Sequence, residues 1–251
     1  MLMRKIAGRI RRATFGAPPP QLDPRLASLE QIFKAPPLTP SLQGAITLIS
    51  PHFALGRRSE RNRLIWQRDQ NGACWAEYEL LKSTLAALPR HARILEIGPG
   101  LGRSLVFFSK MFDWSGCELH AYEADGDTTR YTVDGPRFND SWCGSIAELR
   151  NVLHFNGVDN VTIRDAKQIP MGDLPGPFDL VYGFYNIGFH WALAHFLPEI
   201  RALIGDCGLG IFTVQETFKP DGLHGFKITL IDKGSVIAGN HEKLLLLQAT
   251  Q

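Results

Sequence analysis

Apolar and polar positions along the chain change period near residue 90. Before it, Trp75, Tyr78, Leu81, Leu85 and Leu88 recur every three or four positions, the spacing of one helix face, and Pro89 closes the segment. After it, short apolar runs alternate with amphipathic stretches. RILEIG (93–98) predicts a strand running into a glycine turn, and SLVFFSKMF (104–112) the helix behind it. ELHAYEAD (118–125) predicts a second strand. SIAELRNVLHF (145–155) predicts a helix with Ile146, Leu149, Val152 and Leu153 on one face. NVTIRDA (160–166), FDLVYGFY (178–185) and GLGIFTVQE (208–216) predict three further strands, with a helix over 190–204 joining the last two. FKITLID (226–232) and KLLLLQA (243–249) predict a closing antiparallel hairpin.

Alternating strands and helices imply a doubly wound, mostly parallel sheet with helices on both faces, an α/β fold. No internal repeat is visible. Residues 16–56 are punctuated by Pro18, Pro19, Pro20, Pro24, Pro36, Pro37, Pro40 and Pro51. Proline fixes φ and lacks an N–H, so this stretch is expected to be a linker with at most a short helix at 24–34. The expected organisation is a basic, Pro-rich tail and linker (1–56), a helical N-terminal cap (57–89) and an α/β domain (90–251).

The net charge of +2 hides an asymmetry. Residues 1–70 hold 12 Lys/Arg against 4 Asp/Glu, and the remainder is acidic. In residues 1–15, Leu2, Ile6, Ile10 and Ala13 share a helical face, while Arg4, Lys5, Arg9, Arg11 and Arg12 supply positive charge. A basic amphipathic helix of this kind suits an anionic membrane surface; the alternative is a disordered basic tail. The four cysteines are widely spaced, with no Cys-x-x-Cys pair for zinc or redox work. No run is long enough to span a bilayer and no secretory signal is evident, so the expectation is a cytoplasmic protein, with peripheral membrane contact only where residues 1–15 form that helix.

The chemistry begins at ARILEIGPGLGRS (92–104). A dinucleotide-binding turn reads G-x-G-x-x-G/A, its third small residue letting helix pack on strand. Counting from Gly98, that position holds Arg103, which disfavours a nicotinamide cofactor. Glu96 followed by Gly98, Gly100 and Gly102 suits a ligand without pyrophosphate: the glycines let backbone approach a nucleoside, and the carboxylate can hold a cationic group. Here the sequence resembles the class I S-adenosylmethionine-dependent methyltransferases, whose first motif LEIGPGLGRS matches closely.

The resemblance covers about residues 90–251 and implies a Rossmann-like fold with S-adenosyl-L-methionine as cofactor. It implies that Glu123, ending the second strand, is the ribose-binding acid. Asp165 and the amide of Ala166 would bracket adenine, and Gly183–Phe184 would line the methionine end. Taken singly, each acid is an ordinary strand-end carboxylate; the order of turn, acid, acid and aromatic loop is what is specific. A looser likeness is to sugar and polysaccharide O-methyltransferases. The segment 129–142 lengthens the usual step between second and third strands, as a functional loop or a surface ornament.

Methyl transfer is an in-line displacement at a sulfonium centre, helped by alignment and, for an alcohol acceptor, by a base. FDLVYGFYNIGFHW offers no converging carboxylates, so no metal is expected. Tyr185, Asn186, His190 and Trp191 mix hydrogen-bonding edges with flat apolar faces, which suits a small polar acceptor such as a sugar or glycoconjugate hydroxyl. His190 is the first candidate base, with Tyr185 and Glu216 also assigned catalytic roles and His195 and Tyr131 as alternatives. Arg57, Arg58, Arg61, Arg63 and Arg68 form either a solvated helix face or a clamp for a phosphate or carboxylate on the acceptor. Two other readings stay open. One is a nucleic-acid methyltransferase, against which no Asn/Asp-Pro-Pro-aromatic signature follows the fourth strand, so no nucleic-acid partner is expected. The other is a non-catalytic S-adenosylmethionine-binding protein.

Overall fold

The computed structural model describes residues 32–49, 60–125, 145–189, 192–237 and 240–250. Outside them lie the basic segment 1–15, Arg57, Arg58, the loop 129–142 with Tyr131, and both His190 and Trp191.

Seven strands form one sheet: β1 (Arg93–Ile97), β2 (Glu118–Glu123), β3 (Val161–Asp165), β4 (Leu180–Gly183), β5 (Leu209–Gln215), β6 (Phe226–Ile237) and β7 (Asn240–Ala249). Their order is β3-β2-β1-β4-β5-β7-β6. The first five run parallel; β7 is antiparallel to β5, and β6 to β7. The order reverses beside β1, and in such sheets that switch point opens a crevice at the carboxyl ends of the strands. This is the expected Rossmann-like, doubly wound sheet with a closing hairpin.

Period-2 alternation splits the side chains between two cores. Ile94, Leu119, Ala121, Leu180, Tyr182, Leu209, Ile211 and Leu244 face one side; Leu95, Ile97, Tyr122, Val181, Phe212, Val214, Leu245 and Leu247 face the other. The first face is covered by α1 (Pro40–Ile49), α2 (Glu60–Leu85), α3 (Arg103–Met111) and α4 (Ile146–Phe155), and the second by α5 (Leu197–Ile204). Ser145 caps α4, its side chain accepting from the Glu148 amide at 3.3 Å.

Three elements depart from the sequence reading. The stretch read as linker contains α1, with Leu42, Ala45 and Ile46 wholly buried. Pro40 stands at its first position, where a missing N–H costs nothing, so proline there starts a helix and does not forbid one. Of the short helix expected at 24–34, residues 32–34 are described, and they lead into an extended strap. Asn71 bonds both the amide and the carbonyl of Phe33, and Asn156 does the same for Lys34, at 2.8–3.0 Å. Phe33 packs edge-on against Trp66, 5.4 Å between centroids. The helix expected over 190–204 is, within the described residues, a 3₁₀ turn (Leu193–Phe196) and then α5. Pro198 near its start lacks the donor a continuous helix would need.

Candidate functional site

The glycine turn leaves β1 at its carboxyl end. Gly98, Gly100 and Gly102 take φ of 63°, 59° and 74°, a region costly for residues with a Cβ. A Cβ at Gly98 would overlap the Asn186 side chain, and one at Gly183 would lie 2.5 Å from Asn186 Oδ1. Asn186 thus wedges between the ends of β1 and β4. Its Nδ2 donates to the carbonyls of Ile97 and Gly98, and its Oδ1 accepts from the Ile187 amide. The sequence reading gave Asn186 to the acceptor; the structure spends it on holding the two turns together.

Glu123 ends β2 with its carboxylate 3% exposed, turned back to the glycine turn. It accepts from the Gly100 amide at 2.8 Å and the Ala124 amide at 3.0 Å. Burial pushes its carboxyl up to about 8 against those two bonds, and the nearby Glu96 and Asp125 add to the rise. Glu96, 1% exposed, accepts from the hydroxyls of Ser104 and Tyr182, the latter at 3.0 Å. Burial raises it to about 7. Asp165 ends β3 half-buried, its Oδ1 accepting from the Lys167 amide at 2.9 Å. The Ala166 amide donates to the Glu123 carbonyl at 2.9 Å, so the ladder already uses the group that the resemblance assigned to adenine.

Beside β4 lies a buried ionic cluster that the sequence reading did not find. Glu77 of α2 is fully buried. It receives both Arg103 guanidinium nitrogens, at 3.0 and 3.1 Å, and Lys233 Nζ from β6 at 2.9 Å. Burial alone would raise Glu77; the Arg103 and Lys233 charges outweigh it and hold the carboxyl below its usual value. Lys233 Nζ also lies 3.3 Å from Glu242 Oε2 of β7 and donates to the Tyr185 hydroxyl at 2.7 Å. Glu242 is fully buried too, and that contact is an ion pair without hydrogen-bond alignment. Arg103 Nη1 reaches Cys74 Sγ at 2.9 Å, and burial pushes that thiol up to about 12.

Tyr185 is one of two non-glycine residues with positive φ among those described, at 61°. Its ring lies between two cations, 5.6 Å from Arg103 Cζ and 4.3 Å from Lys233 Nζ. Burial drives its phenol far above the ordinary range, so Tyr185 serves as a neutral hydrogen-bonding group, not as a phenolate base. Phe184 turns into the core against Tyr182 and Phe108, at centroid distances of 5.4 and 6.0 Å.

Not every assigned residue converges here. Glu216, past the end of β5, is exposed, as is His195 on the 3₁₀ turn. Arg68 pairs with Asp69 at 3.3 Å on the exposed side of α2, whereas Arg63 is little exposed, pairs with Glu60 and donates to the Ala35 carbonyl of the strap. No group of three metal-ligating side chains occurs among the described residues.

No family model matches the chain, and no curated protein matches it. Solved structures do resemble it. A mutant of MtNAS in complex with S-adenosylmethionine is 15% identical with a TM-score of 0.53, over 83% of this chain and 72% of that one. Another structure of such a mutant of MtNAS is 15% identical at TM-score 0.50, over 98% and 97%. Precorrin-6y C5,15-methyltransferase from Geobacter metallireducens GS-15 is 14% identical at TM-score 0.46, over 69% and 88%. At such identities the likeness is one of architecture: the chain has a Rossmann-like α/β fold whose seven-stranded sheet opens its switch-point crevice at the glycine turn.

Proposed function

We propose that this chain is an S-adenosylmethionine-dependent methyltransferase acting on a small polar acceptor, with a sugar or glycoconjugate hydroxyl as the acceptor class. One observation carries the reading: the buried Glu123 carboxylate, closing β2, faces the glycine turn that closes β1. A carboxylate there offers acceptor oxygens to a vicinal diol, and the turn lets backbone approach the nucleoside. The S-adenosylmethionine bound by MtNAS in a structure of similar fold fits this reading.

The residues present fit such a cofactor. Glu123 would hold the ribose hydroxyls, exchanging the Gly100 amide for them. Glu96 places a carboxylate one residue before the glycine turn, where it attracts positive charge. Asp165 stands at the end of β3 for the adenine side. Arg103, at the position where a dinucleotide turn needs a small residue, points its guanidinium at Glu77. The bound cofactor would supply an activated methyl on a sulfonium. The chain's share of the work is alignment, which can contribute roughly 7–11 kcal/mol. Tyr185, fixed by Lys233, presents a neutral phenol at the exit of β4 to orient the acceptor. His190, five residues on and outside the described residues, keeps its proposed role as base; Glu216 loses ground because it is exposed.

The test is incubation with methyl-labelled S-adenosylmethionine and a panel of sugars, nucleotide sugars and phenols. Label should pass to an acceptor with S-adenosylhomocysteine as the nucleoside product. Release of 5′-methylthioadenosine would mean that a different sulfonium bond breaks, and would overturn methyl transfer. Cofactor binding with no turnover would favour a binding protein.

A further inference from the structure

The sheet ends in two unlike edges. β3 closes one side with 5 residues, Val161–Asp165, a short edge that offers another strand little. β6 closes the other with 12, Phe226–Ile237, and among the described residues no strand lies beyond it. Its ladder to β7 is regular from Phe226 to Asp232 and shifts register on either side of Gly234. Before Phe226 the chain turns at Gly225, with φ of 81°. The Thr250 amide donates to the Gly225 carbonyl, so the alternating antiparallel pattern also commits the backbone groups of Lys227, Thr229 and Ile231 to β7. Phe226, Ile228, Leu230 and Asp232 therefore point their amides and carbonyls outward, a row of groups that a further strand would satisfy.

We propose that the chain forms a two-fold dimer in which β6 pairs antiparallel with β6 of a second copy, centred on Thr229, so that one sheet runs through both copies. The pairing does not depend on which ligand fills the crevice. A two-fold axis normal to the sheet keeps every side chain on its own face, so it must pass through a residue position and not between two. Thr229 is the midpoint of the regular segment Phe226–Asp232. With the axis there, Phe226 meets Asp232 and Ile228 meets Leu230 in hydrogen-bonded pairs, and every outward amide and carbonyl of the segment is used. Moving the axis one residue either way sets Asp232 against His224, beyond the turn, or Phe226 against Gly234, in the irregular stretch.

The side chains suit this register. Phe226 and Ile228 are half-buried, and Leu230 is 37% exposed, one of the few large apolar side chains so exposed among the described residues. By alternation all three share the face on which α5 lies over β4, β5 and β7. Across the axis, Ile228 of each copy stands beside Leu230 of the other, joining two apolar strips, and such cross-strand pairs are what stabilise an antiparallel ladder. Lysine on an edge strand blocks pairing where it meets its like. Here the exposed Lys227 and Asp232 face Ile231 and Phe226 of the second copy, so no like charges stand directly opposite. Lys233 follows the paired segment directly, and the second copy thus braces the strand whose lysine holds Tyr185.

Sedimentation velocity on the full chain over a range of concentrations tests this. The parent should sediment as a dimer. Leu230→Lys, at a position already exposed, should raise the dissociation constant by roughly tenfold or more while circular dichroism shows the fold retained. Thr229 opposes itself across the axis in a non-hydrogen-bonded pair, with Cα atoms about 4.5 Å apart, within disulfide reach. Thr229→Cys, in a Cys207→Ser background that removes the exposed thiol, should therefore form an intermolecular disulfide with oxidised glutathione. Lys227→Cys in the same background lies off the axis and should crosslink no more than the background protein. A parent that is monomeric at every concentration overturns the proposal. So does a dimer that Leu230→Lys leaves intact, or one in which Thr229→Cys crosslinks no better than Lys227→Cys.

Discussion

The hydroxyl of Tyr185 lies 2.7 Å from Nζ of Lys233, joining the loop after β4 to the closing hairpin. The bond holds a bulky residue at φ 61°, a conformation that surrounding structure must impose. Lys233 in turn neutralises Glu77 and Glu242, so Lys233→Met would leave buried carboxylate charge uncompensated. We expect it to cost about 3–5 kcal/mol in urea unfolding, the usual penalty for breaking a buried pair. Tyr185→Phe should cost about 1 kcal/mol, one hydrogen bond. Equal, small losses for both would show that the cluster does not hold the loop.

Glu77 gives the acid limb of stability. Its carboxyl is held below the ordinary value of 4.5 in the folded chain, so its contribution is present above that pH and lost as pH falls below it. Glu77→Gln should therefore be destabilised most at neutral pH and converge on the parent protein under acid. Unfolding curves at pH 7 and pH 3.5 would show the gap closing; a gap of constant size contradicts the assignment.

Glu96 and Glu123 act in the opposite direction. With folded values of about 7 and 8 against 4.5 unfolded, the native state binds their protons more tightly. Their contribution is complete below pH 4.5 and declines as pH rises to about 8. The ligand-free protein should melt at higher temperature at pH 6 than at pH 8.5, and Glu123→Gln should narrow that difference. A melting temperature that rises across this window in both proteins would refute it.

Asn186 makes the glycines interdependent. Gly183→Ala places a methyl 2.5 Å from Asn186 Oδ1 and 2.9 Å from the Ile97 carbonyl, so it should destabilise strongly. The atoms nearest a methyl at Gly98 belong to the Asn186 side chain, and Asn186→Ala should relieve most of that clash, leaving the Cβ of residue 186 at 3.2 Å and a φ penalty of about 1 kcal/mol. A double-mutant cycle should give a favourable coupling for Gly98 and Asn186; strict additivity would show that the wedge is unimportant.

The parallel core of the fold was legible because buried strands and the glycine turn leave short-range signatures. Glu96, Glu123 and Asp165 fell at strand ends, where sequence order alone places them. The ionic cluster was hidden by register. The expected strands 226–232 and 243–249 stop one residue short of Lys233 and Glu242. The helix face read from Trp75 and Tyr78 is rotated from the buried stripe of Cys74, Glu77, Leu81 and Leu85. A glutamate three residues from a buried cysteine and four from a buried leucine was the available signal. Helix α1 was missed because proline was weighed as a breaker without regard to its favoured first position. Side-chain amides that pin the strap at Phe33 and Lys34 act over 38 and 122 residues, beyond any local pattern.

The central claim is that Glu123 and the glycine turn hold S-adenosylmethionine. Calorimetry of the purified chain with S-adenosylmethionine, repeated on Glu123→Ala, tests it most directly. We expect saturable binding at one site, weakened tenfold or more by the substitution while the melting temperature shows that the variant remains folded. Binding of NAD with no heat from either thioether nucleoside or S-adenosylmethionine, or a Glu123→Ala variant that binds S-adenosylmethionine as tightly as the parent, would contradict it.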